Sequence, residues 1–170
     1  VYDYEALTTI DGSYLCDNVF ERFGRLVTTH RGDDNEYYSS VGDAKSEQAW
    51  EEKTKDESSA KWLEVGYKDD GDIINSLPMA NDIVVFKTNG NIYSISGEYP
   101  AWNVALIGRQ SGAENVCQSI ASVGSSIVFI TQEGIRSLDA VQVYGNFQPN
   151  ELGYKINKSL AEEIYKPMCW

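Results

Sequence analysis

The chain has 170 residues, 42% of them apolar and 24% charged, with a formal net charge of −12. That length fits one domain able to bury roughly 70% of the surface its unfolded form exposes. The charge argues against a free nucleic-acid binder, which must neutralise phosphates with Lys and Arg, and against docking on an anionic membrane surface. No apolar run approaches the roughly 20 residues needed to span a bilayer. Eleven Tyr and four Trp favour β-structure, because flat rings pack well on pleated surfaces.

In chain order, a first β unit is expected over residues 15–45. Asn18 to Thr29 runs through a longer, acidic turn (Asp33, Asp34, Glu36) into Tyr37-Tyr38-Ser39-Ser40. Residues 43–60 are dense in Glu, Lys, Asp and Ser around Trp50, a composition that cannot offset its ordering entropy unaided, and read as a surface loop with room for one helical turn. A second unit is expected over 61–98 and a third over 101–141. Each reads as a Trp-led strand (Trp62 or Trp102), a Gly-bearing turn, a short strand and a hairpin. The hairpins, Asp82 to Ile95 and Ser126 to Leu138, start 44 residues apart, and each places two apolar runs around a Gly-bearing turn. Four strands repeated at that period are the signature of a propeller blade. Leu26-Val27 and Tyr38-Ser39 occupy the places of Ile83-Val84 and Tyr93-Ser94, so the first unit is a diverged copy. Ser159-Leu160-Ala161-Glu162 has the capping-box pattern and opens a short helix over 159–166, before Pro167. A chain that begins without Met and stops at Trp170 reads as part of a longer polypeptide.

Little in the chain carries reactive chemistry. Cys16, Cys117 and Cys169 are odd in number and far apart, and His30 is the single His, so neither a disulfide framework nor a zinc site is expected. Arg31-Gly32-Asp33 reads as a turn. The acidic turns at Asp33 to Glu36 and Asp69 to Asp72 do not complete a calcium-loop pattern. Asn157-Lys158-Ser159 is accounted for by helix entry. No nucleophile elbow surrounds any Ser, phosphate-cradling glycines before a helix are missing, and so is the sialidase-type Asp box. No catalytic residue, metal or cofactor is therefore expected. The aromatic series Tyr37, Tyr38, Tyr93, Tyr99 and Trp102 fits blade packing, with sugar stacking as the other use of such rings.

The order of these pieces resembles bacteriophage tail-associated β-propeller proteins, of the stabilisation or tail-nozzle kind in short-tailed phages. The elements are Gly24-Arg25-Leu26, Tyr38-Ser39-Ser40-Val41-Gly42-Asp43, Gly71-Asp72-Ile73, Val85-Phe86-Lys87, Gly108, Phe129 with Gly134-Ile135, and Ile156. They span about residues 18–164. The resemblance implies a structural virion protein, without catalytic residues or cofactor, assembled with other tail or neck proteins and present in several copies in its full-length form. It places the product in the phage tail, or in the bacterial cytoplasm as a prophage product. The chain departs from the pattern in the insert at 43–60 and in being too short to close a full propeller.

The expected fold is thus all-β and propeller-like but incomplete, with about three four-stranded blades and a short C-terminal helix, over one domain of 170 residues. Its expected role is a scaffold for protein–protein contacts, with apolar blade faces at Ile83, Val85, Ile95, Ile127, Phe129 and Leu138. The alternative is a carbohydrate-binding host-recognition module that uses Tyr37, Tyr38, Trp50 or Trp102. A glycan hydrolase ranks last, because it needs a carboxylate pair across a cleft and the acidic clusters fall in turns.

Overall fold

A computed structural model of the chain describes residues 18–30, 32–53, 55–109, 120–131, 134–141 and 146–152. Three successive antiparallel four-stranded sheets run through them, each with its strands side by side in chain order. Sheet I holds β1 (Asn18–Arg22), β2 (Arg25–Thr29), β3 (Asn35–Tyr38) and β4 (Lys61–Glu64). Sheet II holds β5 (Ile73–Met79), β6 (Asp82–Lys87), β7 (Asn91–Ser96) and β8 (Asn103–Arg109). Sheet III holds β9 (Ala121–Val123), β10 (Ser126–Thr131), β11 (Gly134–Val141) and β12 (Asn146–Leu152). The all-β class expected from the sequence is what the described residues adopt. The helix expected over 159–166 and all three Cys lie outside the described residues.

The two hairpins are β6–β7 and β10–β11, the central pairs of sheets II and III. The Trp-led strands sit one place away from where the repeat sets them. Tyr37 pairs with Trp62 across β3 and β4, and Ser96 pairs with Asn103, next to Trp102, across β7 and β8. Each such strand closes the sheet before it and does not open the next one. For the Trp102 strand the cause is the short connection after β7, whereas the Trp62 strand comes back to β3 after the insert. Gly97 has a φ of +80°, Ala101 N–H donates to Glu98 O at 2.7 Å, and the chain folds straight back along β7. The sheets therefore cover 18–64, 73–109 and 121–152, a one-strand shift from units at 15–45, 61–98 and 101–141.

Strand alternation explains the packing of the three sheets. Successive residues of a strand face opposite sides. Along β6, Ile83 and Val85 enter one apolar cluster with Val27 and Tyr38 of sheet I. Val84 and Phe86 enter a second cluster with Ile127, Phe129 and Leu138 of sheet III. Sheet II is therefore buried on both faces, and Phe86 meets Phe129 edge-on with centroids 5.2 Å apart. The six residues expected on the blade faces are all buried.

The polar insert between β3 and β4 is ordered by two buried cations. Arg25 donates from Nη1 to Ser39 O and Ser59 O, both at 2.6 Å, and from Nη2 to Glu57 O at 2.5 Å. Lys61 Nζ donates to Ser59 Oγ at 2.9 Å and Lys53 O at 3.1 Å. Within the insert, Glu47–Trp50 forms one 3₁₀ turn that buries Ala49, and Glu52 bridges Ala60. Composition alone understated this segment, because its ordering comes from β2 and β4 and not from its own apolar content.

Candidate functional site

The insert stands over the end of sheet I and opens a cleft on each side of Tyr38. The first, of about 240 Å³, lies between the insert and the β7–β8 turn, with Phe23, Arg25, Tyr38, Glu57, Tyr99 and Trp102 in its walls. Its rings are already engaged with one another. Trp102 stacks on Tyr38 at 4.8 Å between centroids, and Tyr99 meets Trp102 edge-on at 5.4 Å. Lys61 Nζ lies 4.9 Å from the Tyr99 ring centre, a favourable cation–π placement.

The second cleft, of about 210 Å³, lies between the insert and the outer face of sheet I, and takes in Tyr37, Trp50, Glu52 and Trp62. Tyr37 and Trp62 are direct cross-strand partners and so stand side by side on one face. Trp62 is 52% exposed, and its indole N–H donates to Glu52 Oε2 at 3.1 Å. Tyr37 O–H donates to Asp33 Oδ2 at 2.5 Å, while Asp33 Oδ1 accepts from the backbone and side chain of Asn35. Asp33, in the acidic turn, thereby fixes a ring of the cleft.

Of the four aromatic residues singled out from the sequence, Tyr37 and Trp50 share this open cleft. Tyr38 is buried, and Trp102 is stacked on it across the seam between sheets I and II. Tyr38 thus separates the two clefts and does not offer a ring face to solvent. The sequence pattern marks Trp62 only as the head of a strand, yet it is the most exposed ring of the second cleft. Its partnership with Tyr37 depends on register, which the residue pattern alone does not disclose.

Two further ionisable side chains are buried in the fold. Lys87 is fully buried and donates to Val65 O and to Asp69 Oδ1, the latter at 2.6 Å. Asp69 Oδ2 also accepts from Asn91 Nδ2 at 3.0 Å and from Tyr93 O–H at 2.9 Å. Burial pushes the Asp69 carboxyl up, but the hydrogen bonds from Lys87, Asn91, Asn89 and Tyr93 outweigh it and hold the group far below the usual carboxylate range. This is a staple between the β4–β5 connection and the β6–β7 hairpin. Gly66 (φ +77°) leaves room for it, since a Cβ there would lie 2.5 Å from Asp69 Oδ2.

Glu36 is the second. It projects from β3 into the seam with sheet II and is fully buried, with Tyr38 beside it on the same face of the strand. Neither carboxyl oxygen has a hydrogen-bond partner. Burial pushes its carboxyl up to about 8; Ser76 of β5 lies close enough to oppose that, though its hydroxyl is not in bonding geometry with the carboxyl. A neutral Glu36 at pH 7 follows, since an ionised carboxylate in such a place would be strongly destabilising.

The sequence matches no protein-family model and no curated protein. What the clefts can do therefore follows from their own chemistry. Among the described residues, no group of three or more His, Cys, Asp or Glu side chains converges to hold a metal ion, and no helix is long and apolar enough to cross a membrane.

Proposed function

We propose that the chain is a β-propeller scaffold segment that holds neighbouring proteins in place in a phage or prophage tail or neck assembly. The observation that carries this reading is the double burial of sheet II, which packs one face on sheet I and the other on sheet III. An inner blade of a propeller is placed in that way, between two neighbours. The contacts between sheets support a radial order. β1 touches β5 and β5 touches β9, so the first strands of successive sheets approach one another, as do the last strands β8 and β12. Asn18 of β1 reaches β5 directly, donating to Asn75 Oδ1 at 2.8 Å and also to Ser76 O.

The mechanism is mechanical. Apolar faces lock the blades together, and the loops at the sheet ends present side chains to partner subunits. Propellers typically close with about four to eight blades, so three need further blades from more chain or from other copies. The resemblance in the order of short motifs supplies the phage setting.

The test is association. Unpaired strand edges and open blade faces favour self-pairing, so sedimentation at increasing concentration should show the chain forming oligomers. A monomer independent of dilution would overturn the open-blade reading. The setting has its own test: flanking genes for portal and tail proteins support it, and flanking polysaccharide-utilisation genes reverse it.

A further inference from the structure

We propose that the second cleft, formed by Tyr37, Trp50, Trp62 and Glu52, binds a single neutral pyranose ring of a glycan. The argument starts from the two rings of sheet I. Tyr37 and Trp62 are held side by side by strand register, and each is locked by its polar edge, Tyr37 to Asp33 and Trp62 to Glu52. Trp50 is presented by the 3₁₀ turn, whose Ala49 O accepts from Ser40 N–H at 2.7 Å and whose Ala49 side chain is buried. The walls are therefore in place before a ligand arrives, which lowers the entropic cost of binding.

Size and charge then select the ligand. At about 210 Å³ the cleft falls below the roughly 300–1,000 Å³ of sites for drug-sized molecules, and suits one small ring. Sugars present an apolar C–H face to an aromatic ring and hydroxyl donors at the ring's edge. The cleft offers the matching parts: exposed ring surface on Trp62 and a carboxylate, Glu52, fixed beside it. Glu51 and Glu52 are both exposed at the rim, on a chain of net charge −12. Uronic and sialic acids would meet like charge here, whereas a neutral hexose or N-acetylhexosamine would not.

Position in the fold keeps the site open. Trp62 lies on β4, at the edge of sheet I, and faces away from Val27, Tyr38 and Leu63, which pack into the seam with sheet II. The face it shares carries Glu21, Thr28, Asn35 and Glu64 together with Val19 and Leu26. On this mixed surface the exposed face of Trp62, beside Glu52, is open to a polar ligand with an apolar side. The proposal goes beyond the scaffold reading, and its readout, glycan binding, is distinct from the self-association that tests that reading.

The experiment is binding of the chain to an array of neutral oligosaccharides of glucose, galactose and N-acetylglucosamine, with sialylated and uronic-acid glycans and a proline-rich peptide on the same surface. The expected result is saturable binding to one or more neutral glycans, followed in solution by tryptophan fluorescence. Trp62→Ala should weaken it by about tenfold or more, Trp62→Phe should restore part of it, and Glu52→Gln should weaken it less. Trp102→Ala, in the other cleft, should leave it unchanged. Because Trp62 is half exposed, its loss leaves the core intact, and circular dichroism of each variant checks this. Absence of any neutral-glycan binding, preference for the acidic glycans or the peptide, or binding indifferent to Trp62→Ala would each overturn the proposal.

Discussion

Replacing Glu36 with Gln should remove a pH dependence that wild type carries in the seam between sheets I and II. The carboxyl is fully buried with neither oxygen hydrogen-bonded, and burial raises it from the ordinary 4.5 to about 8. The folded state therefore keeps its proton over an interval in which the unfolded chain releases it. Stability from this group is complete below about 4.5, falls as pH rises toward 8, and is flat above that. Each pH unit in the interval is worth about 1.4 kcal/mol, so the whole interval amounts to about 5 kcal/mol. Gln is nearly isosteric and cannot ionise. The gap between wild-type and Glu36→Gln unfolding free energies should thus move by about that amount between pH 4.5 and 8.5, with the variant gaining. In urea, with slopes of about 1–3 kcal/mol per molar for small proteins, this is a relative midpoint shift of about 2 M or more. Urea titrations of both proteins at half-unit pH steps measure it directly. Parallel midpoint curves for the two proteins would refute the reasoning, because they would mean that Glu36 titrates in the fold as it does in the unfolded chain.

Three other outcomes are expected. Asp69→Asn leaves the buried Lys87 ammonium without its counter-charge and should cost about 3–5 kcal/mol, read as a fall in unfolding midpoint with faster amide exchange over residues 65–72. Because the Asp69 carboxyl is held below the usual range, its contribution to wild type is present above the unfolded carboxyl's titration and fades as pH falls, the reverse of Glu36. Phe129→Ala should cost about 3–5 kcal/mol by opening a cavity against Phe86, measured by thermal unfolding. Arg25→Ala removes three hydrogen bonds to insert carbonyls, those of Ser39, Glu57 and Ser59, so limited proteolysis should cut within residues 51–58 much faster while the far-ultraviolet dichroism keeps its β signature.

The sheets were largely legible in the sequence because their central hairpins are local. Asp82 to Lys87 alternates toward two apolar cores, and Gly90, with a φ of +81°, makes the turn that the pattern announces. Which sheet a Trp-led strand joins was not legible, since a four- to seven-residue strand carries no label for its neighbour; for the Trp102 strand the short turn at Gly97 decides it. The site was half legible. Tyr37 and Tyr38 are adjacent and chemically alike, but strand alternation sends one outward to the cleft and the other into the core. Glu36 looked like one more turn acid, because its inward direction comes only from the start of β3 at Asn35. Lys87 and Arg25 passed as ordinary strand residues, since a buried cation is recognisable only by the carbonyls and carboxylate gathered around it.

The alternation along β6 also bears on how such a chain can grow. Ile83 and Val85 serve one core while Val84 and Phe86 serve the next, so sheet II cannot be deleted without opening two cores at once. A sheet added beyond sheet I or sheet III would disturb only one existing face. Repeats of this kind should therefore gain and lose units at the ends of the row, with the middle the last part to change.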